Sequence, residues 1–202
     1  MKTNTKLIFG VIVMIIAGIL FLSFANISKP VEYNEPNITR PFLGNENATV
    51  VVKEFSDLQC PACSAANTVF VKIREEYKDR VRFEFYHYPL ITIHSQAFLA
   101  AQGAECAKDQ GKFWEFVDLA YENQDNLKRN GLIEFAGDLN LDTNLFTSCL
   151  DSKVKEDDVM KDMGLGNNLN LRGTPTFYIN DKELANWGYN SFKTALDNEL
   201  AK

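Results

Sequence analysis

The chain is poor in the residues that most binding chemistries require. Its 202 residues include only two histidines, two tryptophans and four cysteines. It has no basic run and no interleaving of basic with aromatic side chains, and its formal charge is −6. Nucleic acid, held first through its phosphates, is therefore not expected as a partner. Zinc is little better served. A structural site takes four ligands, normally in two close pairs. Here Cys60 and Cys63 are close, Cys106 and Cys149 are far apart, and only His87 and His94 remain. No metal and no bound cofactor is expected. Internal repeats and low-complexity tracts are absent as well.

Long hydrophobic runs are missing with one exception. Leu7 to Ala25 is apolar apart from Ser23, with Lys2 and Lys6 before it and Lys29-Pro30 after it. As a helix it spans roughly 28 Å, close to the hydrocarbon thickness of a bilayer. A secretory signal core is shorter, about 7–15 residues. Residues 1–25 therefore read as a retained signal anchor, a transmembrane helix. Ser23-Phe24-Ala25 also has the small-x-small form of a cleavage site, which leaves a cleaved, secreted form as the alternative. The N-terminal lysines favour a cytoplasmic N-terminus. The body of the protein then lies in the periplasm or at the cell exterior, where disulfides persist. Residues 26–41 carry Pro30, Pro36 and Pro41 without periodicity and read as an extended tether. Asn37-Ile38-Thr39 and Asn47-Ala48-Thr49 match the glycosylation sequon, which only a host with that machinery would use.

What the chain does contain is organised around Glu54 to Asn67, EFSDLQCPACSAAN. An apolar strand pattern, Val50 to Phe55, leads into it and a helical pattern leads out, so Cys60 stands where a strand hands over to a helix. The first N–H groups of a helix lack internal partners and carry the positive end of its dipole, which stabilises a thiolate there. Pro61 suits the first helical position, where no N–H is needed. Cys63 lies one turn on, in line with Ala66, Phe70, Ile73 and Tyr77, the apolar stripe. The expectation is one sulfur facing solvent and one shielded, with Cys60 attacking and Cys63 resolving in thiol–disulfide exchange. Glu54 interrupts the apolar strand. It is either a strand-end carboxylate reaching water or a buried acid beneath the dithiol, with a raised pKa, that takes the Cys63 proton.

The rest of the chain frames that stretch. Val81 to Tyr88 alternates as a second strand ended by Pro89, and a right-handed strand–helix–strand crossover makes the two strands parallel. His87 falls in this strand and His94 opens the next helix; both read as satisfied structural histidines. Helical patterns then cover Ser95–Lys108, Lys112–Asn123, a short third around Leu132–Leu139, a fourth capped by Asp142 or Thr143, and a fifth over Val154–Leu169. Thr176–Ile179 and Glu183–Ala185 read as strands about an Asn180-Asp181 hairpin turn, and Ser191–Ala201 as a closing helix. Cys106 and Cys149 sit in the helical part. In an exported chain a second disulfide is favoured over two inert thiols.

Taken together, EFSDLQCPAC, FYHYPL, AECAKDQGKFWEF, SCLDS and GTPTFYIN resemble the DsbA-type thiol–disulfide oxidoreductases, from about Phe42 to the C-terminus. The resemblance implies an α/β thioredoxin fold: a mixed four- to five-stranded sheet flanked by helices over residues 42–202, with an all-helical insertion at about 92–170. It identifies Cys60 and Cys63 as the redox pair, Pro175 as a cis-proline facing them, and Thr174 as the residue whose backbone pairs with substrate chain. It also sets Glu54 where the family carries its acid. One departure is Pro61-Ala62 between the cysteines, where the best-known oxidases have Pro-His; a contribution to oxidising power is lost. Thr174 occurs in both oxidising and reducing or isomerising relatives. The function implied is introduction or exchange of disulfides in exported cysteine-containing proteins, with a membrane redox partner, quinone-linked, to re-oxidise the pair. The alternatives are a reductase or isomerase of the same fold and, further off, a non-catalytic zinc-binding or structural module.

Overall fold

The computed structural model describes residues 40–202. The expected anchor, most of the tether and the first sequon lie outside the described residues. Among the described residues, no helix is long and apolar enough to cross a membrane. Strands β1 (Phe42–Gly44) and β2 (Val50–Ser56) are followed by helix α1 (Pro61–Tyr77) and strand β3 (Val81–His87). Five helices come next: α2 (Ala97–Lys108), α3 (Phe113–Glu122), α4 (Arg129–Asp138), α5 (Thr143–Ser152) and α6 (Glu156–Asn168). Strands β4 (Thr176–Ile179) and β5 (Lys182–Glu183) and helix α7 (Tyr189–Leu200) complete the chain.

The strands form one mixed sheet in the order β1-β3-β2-β4-β5. β2 is central, as its apolar run requires. It pairs parallel with β3 from Val50↔Val81 to Ser56↔His87, and antiparallel with β4 from Val52↔Ile179 to Phe55↔Thr176. The antiparallel pairing brings the start of β4 to the end of β2 that leads to Cys60. Pro61 opens α1 with Cys60 as its extended N-cap, and Cys63, Ala66, Phe70, Ile73 and Tyr77 are its buried stripe. Phe70 meets the rings of Phe83, Phe177 and Phe192, so α1 covers the face of the sheet on which Val52 and Glu54 stand. Burying such a ring contributes roughly 1.5–3 kcal/mol. The inserted helices do not keep a separate core: Phe116, Phe135 and Phe146 belong to the same cluster as Val52, Phe70 and Phe83.

Several boundaries differ from the sequence reading for local reasons. β1 was not anticipated, because three residues after a proline are too few to show a strand period. It pairs antiparallel with β3, and Gly44 (φ +88) ends it where a Cβ would meet the Val81 carbonyl oxygen at 2.2 Å. The return strand is Lys182–Glu183 rather than Glu183–Ala185. Asn180, with φ 53, makes the turn tight enough for Ile179 to pair directly with Lys182. His94 does not open a helix; it sits between two turns, and α2 begins at Ala97. Asp142 caps α5 by accepting from the Asn144 and Leu145 N–H groups. Lys153, left-handed at φ 58, breaks the chain before α6, which starts at Glu156 rather than Val154.

Candidate active site

The turn between β2 and α1 is tied down by its own side chains. Asp57 accepts the Gln59 N–H at 2.7 Å with one oxygen, and with the other the Leu90 N–H at 2.8 Å and His94 Nδ1 at 2.7 Å. Gln59 Oε1 accepts the Gln96 N–H at 2.7 Å. From the other side Gln124 Nε2 donates to the carbonyls of Leu58 and Cys60 at 2.9 and 3.0 Å. The Cys60 N–H itself donates to the Asp57 carbonyl at 3.0 Å. The segment before the first cysteine is thus fixed to the loop after β3 and to the turn after α3.

Cys60 and Cys63 are both free thiols here. The Cys60 sulfur donates to the Thr174 carbonyl at 3.6 Å, and the Thr174–Pro175 peptide bond is cis. The start of β4 therefore faces the dithiol. The Cys60 thiol is drawn down to about 5. Its largest cause is a hydrogen bond from the Cys63 thiol; burial opposes it, and Thr174 and the Cys63 and Ala62 N–H groups add to the lowering. Cys63 moves the other way, pushed far up by burial and then by its bond to Cys60. Thr174 Oγ1 is buried with no partner of its own, and its hydroxyl acts to lower both thiols.

The expected contrast in exposure is smaller than the sequence suggests. Cys60 keeps 7% of its surface and Cys63 none, since the Thr174–Pro175 loop lies against the first sulfur. The asymmetry lies in ionisation instead. Glu54 does not reach water: it is 1% exposed, and its Oε1 has no hydrogen-bond partner. Burial pushes its carboxyl up to about 7, against the pull of Arg74 and Ser56 and with a further push from Asp118.

Away from the dithiol, Cys106 and Cys149 are joined as a disulfide between α2 and α5, with Cα atoms 5.9 Å apart. His87 is buried, with Nε2 3.2 Å from Glu105 Oε1. Neither histidine approaches a metal arrangement. Among the described residues, no group of three or more His, Cys, Asp or Glu side chains could hold an ion.

Four residues of the site escaped the sequence reading. Ser56 and Asp57 lie inside the EFSDLQCPAC stretch but carried no signal beyond strand end and turn. Tyr121 shares an apolar helix face with Phe113, Phe116, Val117 and Ala120, a pattern that signals core, yet its hydroxyl is 2.6 Å from Ser56 Oγ. Gln124, which opens a short 3-10 helix after α3, lies just past the helical pattern that ends at Asn123 and carries no local signal.

An ionisable thiol at a helix start, a buried partner thiol and a backbone carbonyl alongside can carry out thiol–disulfide exchange. Similarity to known proteins agrees. The thioredoxin family model matches residues 36–198. A probable disulfide bond formation protein D of Bacillus anthracis is 33% identical over 219 aligned positions, covering 100% of both chains. Among solved structures, oxidised BdbD of Bacillus subtilis has a TM-score of 0.73 at 29% identity, covering 81% of this chain and 94% of that one. The α-DsbA1 of Wolbachia pipientis has a TM-score of 0.71 at 25% identity, covering 84% and 94%. This chain belongs to the thioredoxin family and, within it, to the DsbA-like protein-disulfide oxidoreductases.

Proposed function

We propose that the protein works as an oxidase, giving the Cys60–Cys63 disulfide to reduced cysteines of exported proteins. The observation that carries this reading is the placement of Cys60 at the N-terminus of α1 with the fully buried Cys63 one turn behind it, an arrangement that draws Cys60 down to about 5 and holds Cys63 protonated. A stabilised Cys60 thiolate stabilises the reduced pair, and a stabilised reduced form is what makes a disulfide oxidising. A substrate thiolate attacks Cys60, the bond to Cys63 breaks, and a second substrate thiol then displaces Cys60. Glu54 supplies the proton that Cys63 takes up and accepts it again on re-oxidation. The backbone at Thr174, before cis Pro175, pairs with the substrate chain as a short added strand. The Cys106–Cys149 disulfide is structural. No bound cofactor takes part, and a membrane redox protein, quinone-linked, restores the Cys60–Cys63 disulfide.

Leu7–Ala25 anchors this catalytic domain outside the cytoplasm; the support is the length and apolarity of that run and the homologues' part in disulfide formation. A second reading, reductase or isomerase, is favoured by Ala62, which offers Cys60 only a backbone N–H. Equilibration of the pair with glutathione separates the two. An oxidase is expected on the oxidising side of about −180 mV, whereas a value near thioredoxin's, about −270 mV, refutes it.

A further inference from the structure

Exchange at Cys60 requires a proton to reach and leave Cys63, whose sulfur has no access to solvent. A thiolate leaves poorly when its conjugate thiol has a high pKa, so the departing Cys63 needs its proton early. Glu54 is the acid, but a route between the two groups must also be found. Ser56 lies two residues beyond Glu54 in β2, so both side chains stand on the sheet face that α1 and Cys63 cover. Ser56 is 1% exposed, and its Oγ is 2.6 Å from the hydroxyl of Tyr121, which comes from α3 and is itself buried. The Ser56 hydroxyl acts to lower the pKa of Cys63 and of Glu54 alike, which supports a place beside both. A serine hydroxyl has one hydrogen to give and two lone pairs to accept with. Tyr121 is held protonated, its pKa raised by burial and then by the charges of Glu54 and Cys63. With Tyr121 donating into Ser56 Oγ, the single Ser56 hydrogen is left for the sulfur or the carboxylate.

We propose that the Ser56 hydroxyl carries the proton between Glu54 and Cys63, and that Tyr121 is the positioning residue that aims it. The proposal rests on the reading of Glu54 as the acid. In the oxidising step a substrate thiolate forms a bond to the Cys60 sulfur, and the Cys60–Cys63 bond breaks with its electron pair on Cys63. Ser56 passes its proton to that sulfur and takes the carboxyl proton of Glu54. One disulfide is formed, one is broken, and one proton has moved from Glu54 to Cys63. Re-oxidation runs the same transfer backwards. The other titratable or charged groups facing this cluster are Arg74 from α1, Asp118 from α3, Cys60 and Asp57.

The test is single-turnover oxidation of a reduced two-cysteine peptide by the oxidised full-length protein from pH 5 to 9, corrected for the peptide's own thiolate fraction. Wild type is expected to slow as pH rises through about 7, where Glu54 loses its proton. Ser56→Ala is expected to be slower on the order of 100-fold and to lose that inflection and the slowing in heavy water. Ser56→Thr, which keeps the hydroxyl, should restore both, while Tyr121→Phe should slow the step and keep the inflection. A Ser56→Ala profile that matches wild type overturns the relay and leaves the Glu54 acid standing. So does a uniform slowing with the inflection intact and no rescue by threonine, which marks a packing role. A Glu54→Gln profile that matches wild type overturns the acid on which the relay rests.

Discussion

Replacing Glu54 with glutamine removes one titration and almost nothing else, so its effect on stability can be worked out from the site. The carboxyl is buried, one oxygen lacks a partner, and its folded pKa is about 7 against an ordinary 4.5. A raised carboxylate pKa means that the folded state binds the proton more tightly than the unfolded chain. Stability is therefore lost as pH rises from 4.5 through 7, the reverse of a paired carboxylate. Linkage gives a penalty of about 1 kcal/mol at pH 5 and about 3 kcal/mol at pH 8. Glutamine does not titrate, so Glu54→Gln is expected to gain about 2–3 kcal/mol on wild type between those two values. The assay is urea unfolding at pH 5 and pH 8, with Cys60 and Cys63 reduced and the Cys106–Cys149 bond intact. Parallel stabilities of the two proteins across that range would refute the buried, proton-holding carboxyl.

Two further outcomes follow from features outside the dithiol. The Cys106–Cys149 bond spans a sequence separation of 43. Replacing both cysteines by alanine should cost up to about 4 kcal/mol on the chain-entropy model while leaving exchange at Cys60 intact; unchanged unfolding by urea would show the bond to be inert. The native protein should sediment with membranes and keep Leu7–Ala25, and an N-terminal residue of Asn26 in purified material would establish cleavage.

The parts of the fold visible in the sequence are those whose cause is local. β2, α1 and β3 each follow from the period of their apolar residues, and Pro61 marks the start of α1. The dithiol itself was legible because its spacing and its strand–helix setting are both local facts. β1 was not, since its pairing with β3 is a long-range event that three residues do not announce. Burial at Cys60 also depends on distance in sequence, because the Thr174 carbonyl that lies against the sulfur comes from 114 residues away. The same holds for Ser56 and Tyr121, 65 residues apart, whose hydroxyls meet only once α3 has packed against the sheet. Glu54 lies between these cases. Its position in an apolar strand raised the question of burial, and only the packing of α1 over that face answered it.

The assignment of Cys60 as attacker and Cys63 as resolver is tested most directly by trapping. Exchange passes through a mixed disulfide between the attacking cysteine and the substrate, and the second cysteine releases it. In Cys63→Ala, Cys60 loses the thiol hydrogen bond that lowers it most but keeps Thr174 and the N–H groups at the start of α1. It can therefore still attack while intramolecular escape is blocked, and covalent complexes with exported cysteine proteins should accumulate on non-reducing gels. In Cys60→Ala the remaining thiol is buried and protonated, and few complexes should form. More trapped partners with Cys60→Ala than with Cys63→Ala would contradict the assignment and the ionisation argument beneath it.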